Sequence, residues 1–175
     1  MKKILVTGGT TFVSKYVAKY FVNMGYEVYV LNRNTKSQVR GVKLIEGDRH
    51  NLNGILKNLS FDAVADITAY NEKDIIDFVK ELGSYGQYIM ISSSAVYPEY
   101  GVQPFLEESE KAANIFWGTY GTDKIAAEKA LIERVKDAYI LRPPYLYGPM
   151  NNVYREAFVF DCALADRKFY LPKDG

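Results

Sequence analysis

The first 25 residues place an apolar strand pattern, two glycines and a helical pattern in direct succession, and this order constrains the fold more than any other feature. Residues 3–7, KILVT, have the composition of a short buried strand, and Gly8 and Gly9 follow at once. Apolar residues then recur at helical spacing until Gly25 ends the helix. In this arrangement the N–H groups of the turn and the positive end of the helix face a common site, which favours an anionic phosphate ligand.

The same alternation of strand and helix patterns continues through the chain. Strand patterns recur at 27–31, 42–47, 62–67, 87–92 and 138–142, and helical patterns recur at 72–82, 121–135 and 155–165. Strands separated by helices of this length imply βαβ units with parallel strands, and right-handed crossovers place helices on both faces. We therefore expect an α/β fold with a doubly wound parallel sheet in three α/β/α layers. Residues 98–118, which are polar and contain Pro and Gly, are expected to cross the carboxyl edge of that sheet.

Length and composition fit one such domain and exclude several kinds of site. The chain has 175 residues, of which 48% are hydrophobic, and its 22 Lys and Arg nearly balance its 21 Asp and Glu. We expect one domain over residues 1–175 and no main role in coating nucleic acid or anionic lipid. Cys162 and His50 are single residues of their types, which leaves no intrachain disulfide, no Cys- or His-based metal site and no Ser-His-Asp triad. The N-terminal apolar run is too short for a signal peptide and no stretch has membrane-spanning length, so we expect a soluble, cytoplasmic protein.

The glycine turn departs from the usual dinucleotide-binding pattern at two positions. Gly8 is present where the chain must turn sharply, but Thr11 stands where close approach of a pyrophosphate favours glycine, and Ser14 where the helix packs on the strand. A threonine is tolerated at such a position when its φ is negative, and its hydroxyl can then donate to a phosphate. Ser14 adds one small side chain to a packing contact, at a cost on the order of 1 kcal/mol. We expect the turn to bind a dinucleotide; the alternative is a glycine-rich turn that binds nothing.

Residues after the second and third strand patterns indicate which dinucleotide the turn would hold. An acidic residue at the end of the second strand favours NAD, but here the sequence is LNRNTK at 31–36. Asn32 can bind a ribose hydroxyl without repelling a 2′-phosphate, and Arg33 and Lys36 supply positive charge for that phosphate. NADP is therefore expected over NAD, the alternative being a solvated basic loop. Asp48, after the third strand, is placed to meet the adenine unless it only forms a turn.

Two later stretches supply side chains for proton transfer. YGTDK places Tyr120 and Lys124 four residues apart on one face of a helix. Tyrosine is a weak acid with a reference pKa of about 10, and a lysine cation one turn away favours its phenolate form. ISSSAVYP, residues 91–98, leaves the fifth strand pattern at the carboxyl edge of the sheet, where ligands bind in open α/β sheets. A serine there can hydrogen-bond a substrate oxygen while Tyr120 moves its proton; Ser93 is the expected one, with the serines on either side as alternatives.

Five stretches together resemble the extended short-chain dehydrogenases/reductases of the NAD-dependent epimerase/dehydratase family: VTGGTTFV, GDRH, SSSAVY, YGTDK and LRPPYLYGP. The resemblance implies a Rossmann fold and a catalytic site of Ser93, Tyr120 and Lys124. It also implies a nucleotide sugar or similar alcohol or carbonyl substrate that reacts by hydride transfer. ADITAY, residues 65–70, matches the family's fourth-strand segment beside the cofactor. The implied cofactor contacts are Gly8, Thr10, Thr11, Phe12, Val13, Asn32, Arg33, Lys36, Asp48, Arg49, Thr68, Ala69, Tyr70, Lys124 and Pro144, and the implied substrate contacts are Ser94 and Tyr145.

The sequence also departs from the pattern of this family. Thr11 and Ser14 replace glycines, and Pro98 replaces the glycine that usually follows Val-Tyr. Tyr145 replaces an asparagine that touches substrate in relatives. Family members also continue into a further strand and a small substrate domain, which we expect residues 1–175 mostly to lack. The chain is then either a fragment of a longer protein or a short protein without that domain.

Three functional hypotheses follow from the sequence. The first is an enzyme, an epimerase, dehydratase or reductase that uses NADP or NAD and a small-molecule substrate. The second is a non-catalytic NADP-binding scaffold or an RNA-binding or regulatory protein of the same fold, although the balanced charge argues against nucleic acid. The third is a relic that binds cofactor without chemistry. The helix pattern at 121–135 can pair with a second copy in a homodimer, or its apolar face can simply cover the sheet.

Overall fold

The computed structural model describes residues 1–171, and within that range the chain forms one parallel sheet flanked by helices. The strands are β1 (Lys3–Thr7), β2 (Glu27–Asn32), β3 (Lys43–Glu46), β4 (Ser60–Asp66), β5 (Ser84–Ile91) and β6 (Tyr139–Leu141). The helices are α1 (Phe12–Asn23), α2 (Glu72–Glu81), α3 (Thr119–Arg134) and α4 (Glu156–Leu164), and one 3-10 turn covers Ser94–Val96. Strands and helices therefore alternate as the sequence patterns predicted.

The six strands are all parallel and lie in the order β3-β2-β1-β4-β5-β6. The chain builds outward from β1 to β3, crosses back over the sheet, and then builds outward on the other side from β4. This is the strand order of the Rossmann fold, and it creates a crevice at the carboxyl ends of β1 and β4, where the order reverses. The prediction of a doubly wound parallel sheet is confirmed.

Alternating side chains of the central strands supply two separate cores. On β1, Ile4 and Val6 pack with Ala18 of α1 on one face of the sheet. Leu5 lies between them in sequence and belongs to the core on the other face, together with Phe78 of α2, Leu131 of α3 and further buried residues. Successive side chains of a strand point to opposite faces, so a strand covered by helices on both sides is apolar throughout. The apolar side chains of the central strands are thereby buried on both faces of the sheet.

Most predicted boundaries lie within one or two residues of the observed ones, and the largest difference is at β5. The pattern predicted a start at Gln87, but the strand begins at Ser84. Gly86 lies within the observed strand and permits its close pairing with β4, because a β-carbon there would lie 2.6 Å from the carbonyl oxygen of Asp62. Residues 98–118 contain neither helix nor strand, as predicted.

Helix α2 shows how local sequence places an element beside the crevice. Asn71 accepts a hydrogen bond from the N–H of Asp74 at 3.0 Å, and the Asp74 carboxylate accepts one from the N–H of Asn71 at 3.1 Å. This capping box satisfies N–H groups that the first turn leaves without intrahelical partners. Within residues 1–171, none of the helices has the length and apolar character that crossing a membrane requires.

Candidate active site

A groove runs along the carboxyl ends of the central strands and consists of two adjoining cavities. The β2-side cavity has a volume of about 440 Å³ and is lined by the glycine turn and by residues that follow β2 and β3. The α3-side cavity has a volume of about 500 Å³ and lies between the start of α1, the end of β5, the start of α3 and residues 143–155. Thr11, Thr68 and Tyr70 line both cavities, so they mark the middle of the groove.

All but one of the predicted site residues line this groove. Gly8, Thr10, Asn32, Arg33, Lys36, Asp48 and Arg49 line the β2-side cavity, and Thr11, Thr68 and Tyr70 line both. Phe12, Val13, Ser93, Ser94, Tyr120, Lys124, Pro144 and Tyr145 line the α3-side cavity. The exception is Ala69, which is fully buried and presents its carbonyl oxygen to Lys124 instead of its side chain to the groove.

The glycine turn has the geometry that its sequence requires at Gly8 and Thr11. Gly8 has a φ of +87°, and a β-carbon there would lie 2.9 Å from the Ser14 hydroxyl, so glycine is needed on both grounds. Thr11 has a φ of −136°, which a threonine adopts without strain. Ser14 is buried, and its hydroxyl donates to the Thr11 carbonyl at 2.9 Å. Phe12, the residue after Thr11, has a φ of +38°, a conformation that costs a side chain on the order of 1 kcal/mol.

The loop after β2 is fastened to the glycine turn by Asn32. The amide nitrogen of Asn32 donates to the Gly8 carbonyl at 2.6 Å, and its oxygen accepts from the N–H of Asn34 at 2.9 Å. Asn32, the predicted ribose contact, lines the β2-side cavity, and its amide also holds the turn. Arg33 is exposed on the cavity wall and makes no hydrogen bond or ion pair with the residues described. Asp48 accepts a hydrogen bond from the N–H of His50 at 3.0 Å, as a turn-forming aspartate does.

Arg49, a predicted cofactor contact, lines the β2-side cavity, and its guanidinium makes hydrogen bonds within the protein. It donates to both carboxylate oxygens of Asp66, at 3.1 and 3.0 Å, to the Thr68 hydroxyl at 3.0 Å, and to the Asp74 carbonyl at 2.7 Å. Burial opposes the charge of Asp66, yet the Arg49 charge and hydrogen bonds outweigh it and hold the pKa of Asp66 below its ordinary value. These hydrogen bonds therefore fix the position of the Arg49 side chain, which lines the β2-side cavity. Sequence reasoning missed Asp66, although an aspartate that ends a buried strand indicates a charged partner.

The three serines that follow β5 have different environments. Ser92 is buried and donates to the Glu128 carboxylate at 2.6 Å, so its hydroxyl is committed to the core. Ser93 accepts a hydrogen bond from the N–H of Ala95 at 3.2 Å and keeps its own proton for a ligand in the α3-side cavity. Ser94 lines the same cavity. The geometry therefore favours Ser93 over Ser92 as the serine that can donate to a ligand.

Lys124 is buried and held by two hydrogen bonds. It is 2% exposed, and its Nζ donates to the carbonyl oxygens of Ala69 at 2.6 Å and of Ile91 at 2.9 Å. Its Nζ also lies 4.9 Å from the ring centroid of Tyr70 and 5.9 Å from that of Tyr120. Burial lowers the pKa of Lys124 to about 8, an effect that nearby carboxylates only partly offset. At neutral pH the ammonium is retained, one helical turn from Tyr120.

Glu128 and Arg142 form a second buried ion pair that sequence reasoning missed. The two carboxylate oxygens of Glu128 accept hydrogen bonds from Nε and Nη2 of Arg142, both at 2.8 Å, and Glu128 is 2% exposed. Arg142 also donates to the Tyr97 hydroxyl at 3.0 Å. Because Glu128 also binds Ser92, the pair joins α3 to the segments that follow β5 and β6. It thereby holds both walls of the α3-side cavity.

Aromatic side chains cover the far end of the α3-side cavity. The ring centroids of Trp117 and Tyr145 are 5.7 Å apart, and those of Trp117 and Tyr120 are 6.4 Å apart. The Arg155 guanidinium lies 5.1 Å from the Tyr145 ring centroid. Sequence reasoning included Tyr145 but missed Trp117, which lies in a segment without a regular pattern, and Arg155, which begins a predicted helix. Together they offer flat apolar faces beside one positive charge.

The residues of the groove fit a dinucleotide. Thr11 precedes α1 without a side-chain cap, and the first turn of α1 has no acidic residue, so its N–H groups and positive end remain available to an anion. Arg33 and Lys36 add positive charge on the β2 side. The two cavities meet at Thr11, beside this helix end, as a ligand with a phosphate group between two larger halves requires.

Comparison with known proteins agrees with the fold and with the glycine turn. Residues 4–75 match the model of the NAD dependent epimerase/dehydratase family. The chain is 27% identical over 192 residues to chloroplast stem-loop binding protein of 41 kDa b from Arabidopsis thaliana, covering 99% of this chain and 50% of that protein. It is also 27% identical over 177 residues to probable GDP-L-fucose synthase 1 from Oryza sativa subsp. japonica, covering 88% of this chain and 53% of that protein. The chain thus spans about half the length of the curated relatives it matches.

Solved structures of low sequence identity share the fold. UDP-N-acetylglucosamine 4-epimerase from Bacillus cereus has a TM-score of 0.78 at 21% identity, over 97% of this chain and 64% of that one. The Bordetella bronchiseptica enzyme WbmG in complex with NAD has a TM-score of 0.78 at 18% identity, over 97% and 61%. The resemblance to the NAD dependent epimerase/dehydratase family that the motifs predicted is therefore confirmed, and the chain has the Rossmann fold.

Proposed function

We propose that this chain is the NAD(P)-binding domain of an epimerase, dehydratase or reductase that acts on a nucleotide sugar by hydride transfer. One observation carries the proposal: a continuous groove joins the glycine turn to Ser93, Tyr120 and Lys124. The family match supports the reaction class. The substrate class is supported by solved neighbours, among them a UDP-glucose 4-epimerase with UDP-glucose and WbmG with NAD and UDP.

The two cavities suit the two halves of the cofactor. A bound dinucleotide would supply the hydride acceptor and donor at its nicotinamide ring. The β2-side cavity would take the adenosine half, and the exposed guanidinium of Arg33 favours NADP, because it can bind a 2′-phosphate with paired donors. The α3-side cavity would take the nicotinamide half, beside Pro144 and Lys124.

Ser93 and Tyr120 would act on the reacting oxygen of the substrate. When an alcohol is oxidised, its carbon gives up a hydride to the cofactor and its oxygen gives up a proton. Tyr120 would take that proton and return it on reduction, while the Ser93 hydroxyl donates a hydrogen bond to the same oxygen. The Nζ of Lys124 lies 5.9 Å from the Tyr120 ring centroid, so its ammonium would add a positive charge beside the reacting groups.

The aromatic end of the α3-side cavity supports a substrate with a ring and a phosphate. Trp117 and Tyr145 present faces on which a sugar or a base can stack. Arg155 lies beside Tyr145 and can bind a phosphate oxygen with charge-assisted hydrogen bonds. A nucleotide sugar combines these groups.

We also propose a single domain, a cytoplasmic location and a homodimer. Residues 1–175 form one NAD(P)-binding domain. The protein is located in the cytoplasm. Two copies pair through α3, on which the apolar side chain of Ile132 is 66% exposed.

A non-catalytic or nucleic-acid-binding role is the second candidate. It is supported by the relative named as a stem-loop binding protein, which matches 99% of this chain. The formal net charge of +1 gives such binding little electrostatic support. In this role the proton-transfer side chains are not needed.

Titration with NADPH and, separately, with NADH tests the cofactor. We expect NADPH to bind more tightly, with a shift in nicotinamide fluorescence. Arg33→Ala is expected to weaken NADPH binding by about tenfold and to leave NADH binding unchanged, because the lost contact is to the 2′-phosphate. Arg40→Ala, an exposed arginine outside the groove, is the control. Preference for NADH would remove the argument from Arg33, and failure to bind either dinucleotide would favour the second candidate.

Turnover of UDP-glucose and UDP-N-acetylglucosamine in the presence of the preferred cofactor tests the chemistry. Tyr120→Phe should lower the rate by about 10²- to 10⁴-fold, because it removes the acid–base group, and should leave cofactor affinity within about twofold. Equal rates for wild type and variant would contradict the assignment of Tyr120. The second candidate would be supported if the wild type turned over neither sugar and if wild type and Tyr120→Phe bound RNA with equal affinity.

A further inference from the structure

Lys36 contacts Thr11, the residue that replaces a glycine in the turn. It lies in the loop after β2, and its Nζ donates to the Thr11 hydroxyl at 3.1 Å. Sequence reasoning assigned Lys36 to a 2′-phosphate at the adenosine end. The contact instead brings its ammonium to Thr11, which lines both cavities and therefore lies at the middle of the groove.

Hydrogen bonds within the loop fix the position of the Lys36 backbone. Gln38 donates from its amide nitrogen to the Lys36 carbonyl at 3.0 Å, to the Asn34 side chain at 3.2 Å and to the Asn32 side chain at 3.2 Å. Asn32 in turn donates to the Gly8 carbonyl at 2.6 Å. The loop and the glycine turn are therefore joined by two polar side chains, and the Lys36 backbone is fixed relative to the start of α1.

The donors at this point are available to an anion. The Thr11 hydroxyl does not cap α1; it accepts from Lys36 and keeps its own proton to donate. Lys36 forms no ion pair with an acidic side chain among the residues described, and two of its three N–H donors are unused. The first turn of α1 has no acidic residue to neutralise its positive end. The Thr11 hydroxyl proton, the Lys36 ammonium and the positive end of α1 therefore lie close together.

We propose that Lys36 and Thr11 form a clamp for the pyrophosphate of the dinucleotide, a group that NAD and NADP share. The inference rests on the proposed function, since it concerns the same cofactor. The pyrophosphate is the middle of a dinucleotide, and Thr11 is at the middle of the groove. The β-carbon of Thr11 keeps the backbone further from the phosphates than glycine would; the hydroxyl and the Lys36 ammonium span that distance with charge-assisted hydrogen bonds. Arg33 is then left as the residue for the 2′-phosphate.

The two assignments predict different patterns of affinity for NADH and NADPH, measured by nicotinamide fluorescence. Lys36→Met should weaken both dinucleotides by the same factor, between about 10- and 100-fold, because both carry the pyrophosphate. Thr11→Val keeps the branched shape without the hydroxyl and should also weaken both. The double variant should lose less than the product of the two single losses, because the two side chains act together. Lys19→Met, which removes an exposed lysine of α1 outside the groove, should change neither affinity.

The outcomes separate the clamp from the proposed function. If Lys36→Met weakened NADPH alone, Lys36 would belong to the 2′-phosphate and the clamp would be overturned while cofactor binding stood. Unchanged affinity of Lys36→Met for both dinucleotides would overturn the clamp as well. If the wild type bound neither dinucleotide, the proposed function would fail and the clamp with it.

Discussion

Lys124 combines a proposed functional charge with a cost in stability, and the two can be measured separately. Its ammonium is buried, with hydrogen bonds only to the carbonyl oxygens of Ala69 and Ile91 among the residues described. Burial lowers the pKa of Lys124 to about 8 in the folded protein, from an ordinary value of 10.5. Between these two values the unfolded chain binds a proton that the folded chain has released, so the free energy of unfolding must rise with pH.

The size of this rise follows from the two pKa values. With a pKa of about 8 in the folded state and 10.5 in the unfolded state, the free energy of unfolding gains about 2 kcal/mol between about pH 7 and about pH 9.5. Lys124→Met removes this gain because methionine does not titrate. The variant also leaves two carbonyls without a donor, at about 1–3 kcal/mol each, but that cost is the same at every pH. The slope with pH, rather than the stability at one pH, is therefore the quantity to compare.

Urea unfolding of wild type and Lys124→Met at several pH values measures this slope. We expect the wild-type free energy minus that of the variant to increase by about 2 kcal/mol from about pH 7 to about pH 9.5, below the range in which exposed tyrosines ionise. Lys129→Met, which removes an exposed lysine of the same helix, should show no such increase. A difference that stays constant with pH would refute the lowered pKa and the burial argument behind it.

Two further predictions concern stability, each with a matched control. Gly9→Ala should lower the free energy of unfolding by about 2–4 kcal/mol, because φ there is +87° and the new β-carbon would lie 2.5 Å from Val30. Gly25 has a similar φ of +79°, but no atom lies within 4 Å of an added β-carbon, so Gly25→Ala should lower the free energy of unfolding by only about 1–2 kcal/mol. Equal losses for the two variants in urea unfolding would refute the steric argument. Glu128→Ala should cost about 3–5 kcal/mol because it leaves its buried arginine partner unpaired. Glu133 belongs to an exposed ion pair on the same helix, so Glu133→Ala should lower the free energy of unfolding by less than about 1 kcal/mol. Similar losses for Glu128→Ala and Glu133→Ala would contradict the assignment of a buried pair.

The order of elements and the location of the groove were predictable because they depend on local patterns. Apolar runs such as residues 3–7 and the helical spacing that follows them identify strand and helix within a few residues of chain. The glycines of the turn and the alternation of elements then imply a parallel sheet with its ligand groove at the carboxyl edge. Ser93, Tyr120 and Lys124 were selected because they lie at that edge in the predicted fold, and all three line one cavity.

The sequence by itself therefore determined the fold class, the glycine turn and the set of residues near the groove. Only the tertiary structure decided which of those side chains are free to bind a ligand. Arg49 is bound to Asp66 and Ser92 to Glu128, partners that lie 17 and 36 residues away along the chain, whereas Lys36 contacts Thr11, 25 residues away, and keeps two N–H donors free. A local pattern identifies a charged or polar side chain, but its partner is set by how the elements pack. Burial also depends on how the elements pack. The place of Lys124 in the site was predicted from its spacing to Tyr120, whereas its pKa of about 8 results from the strands and helices that enclose it.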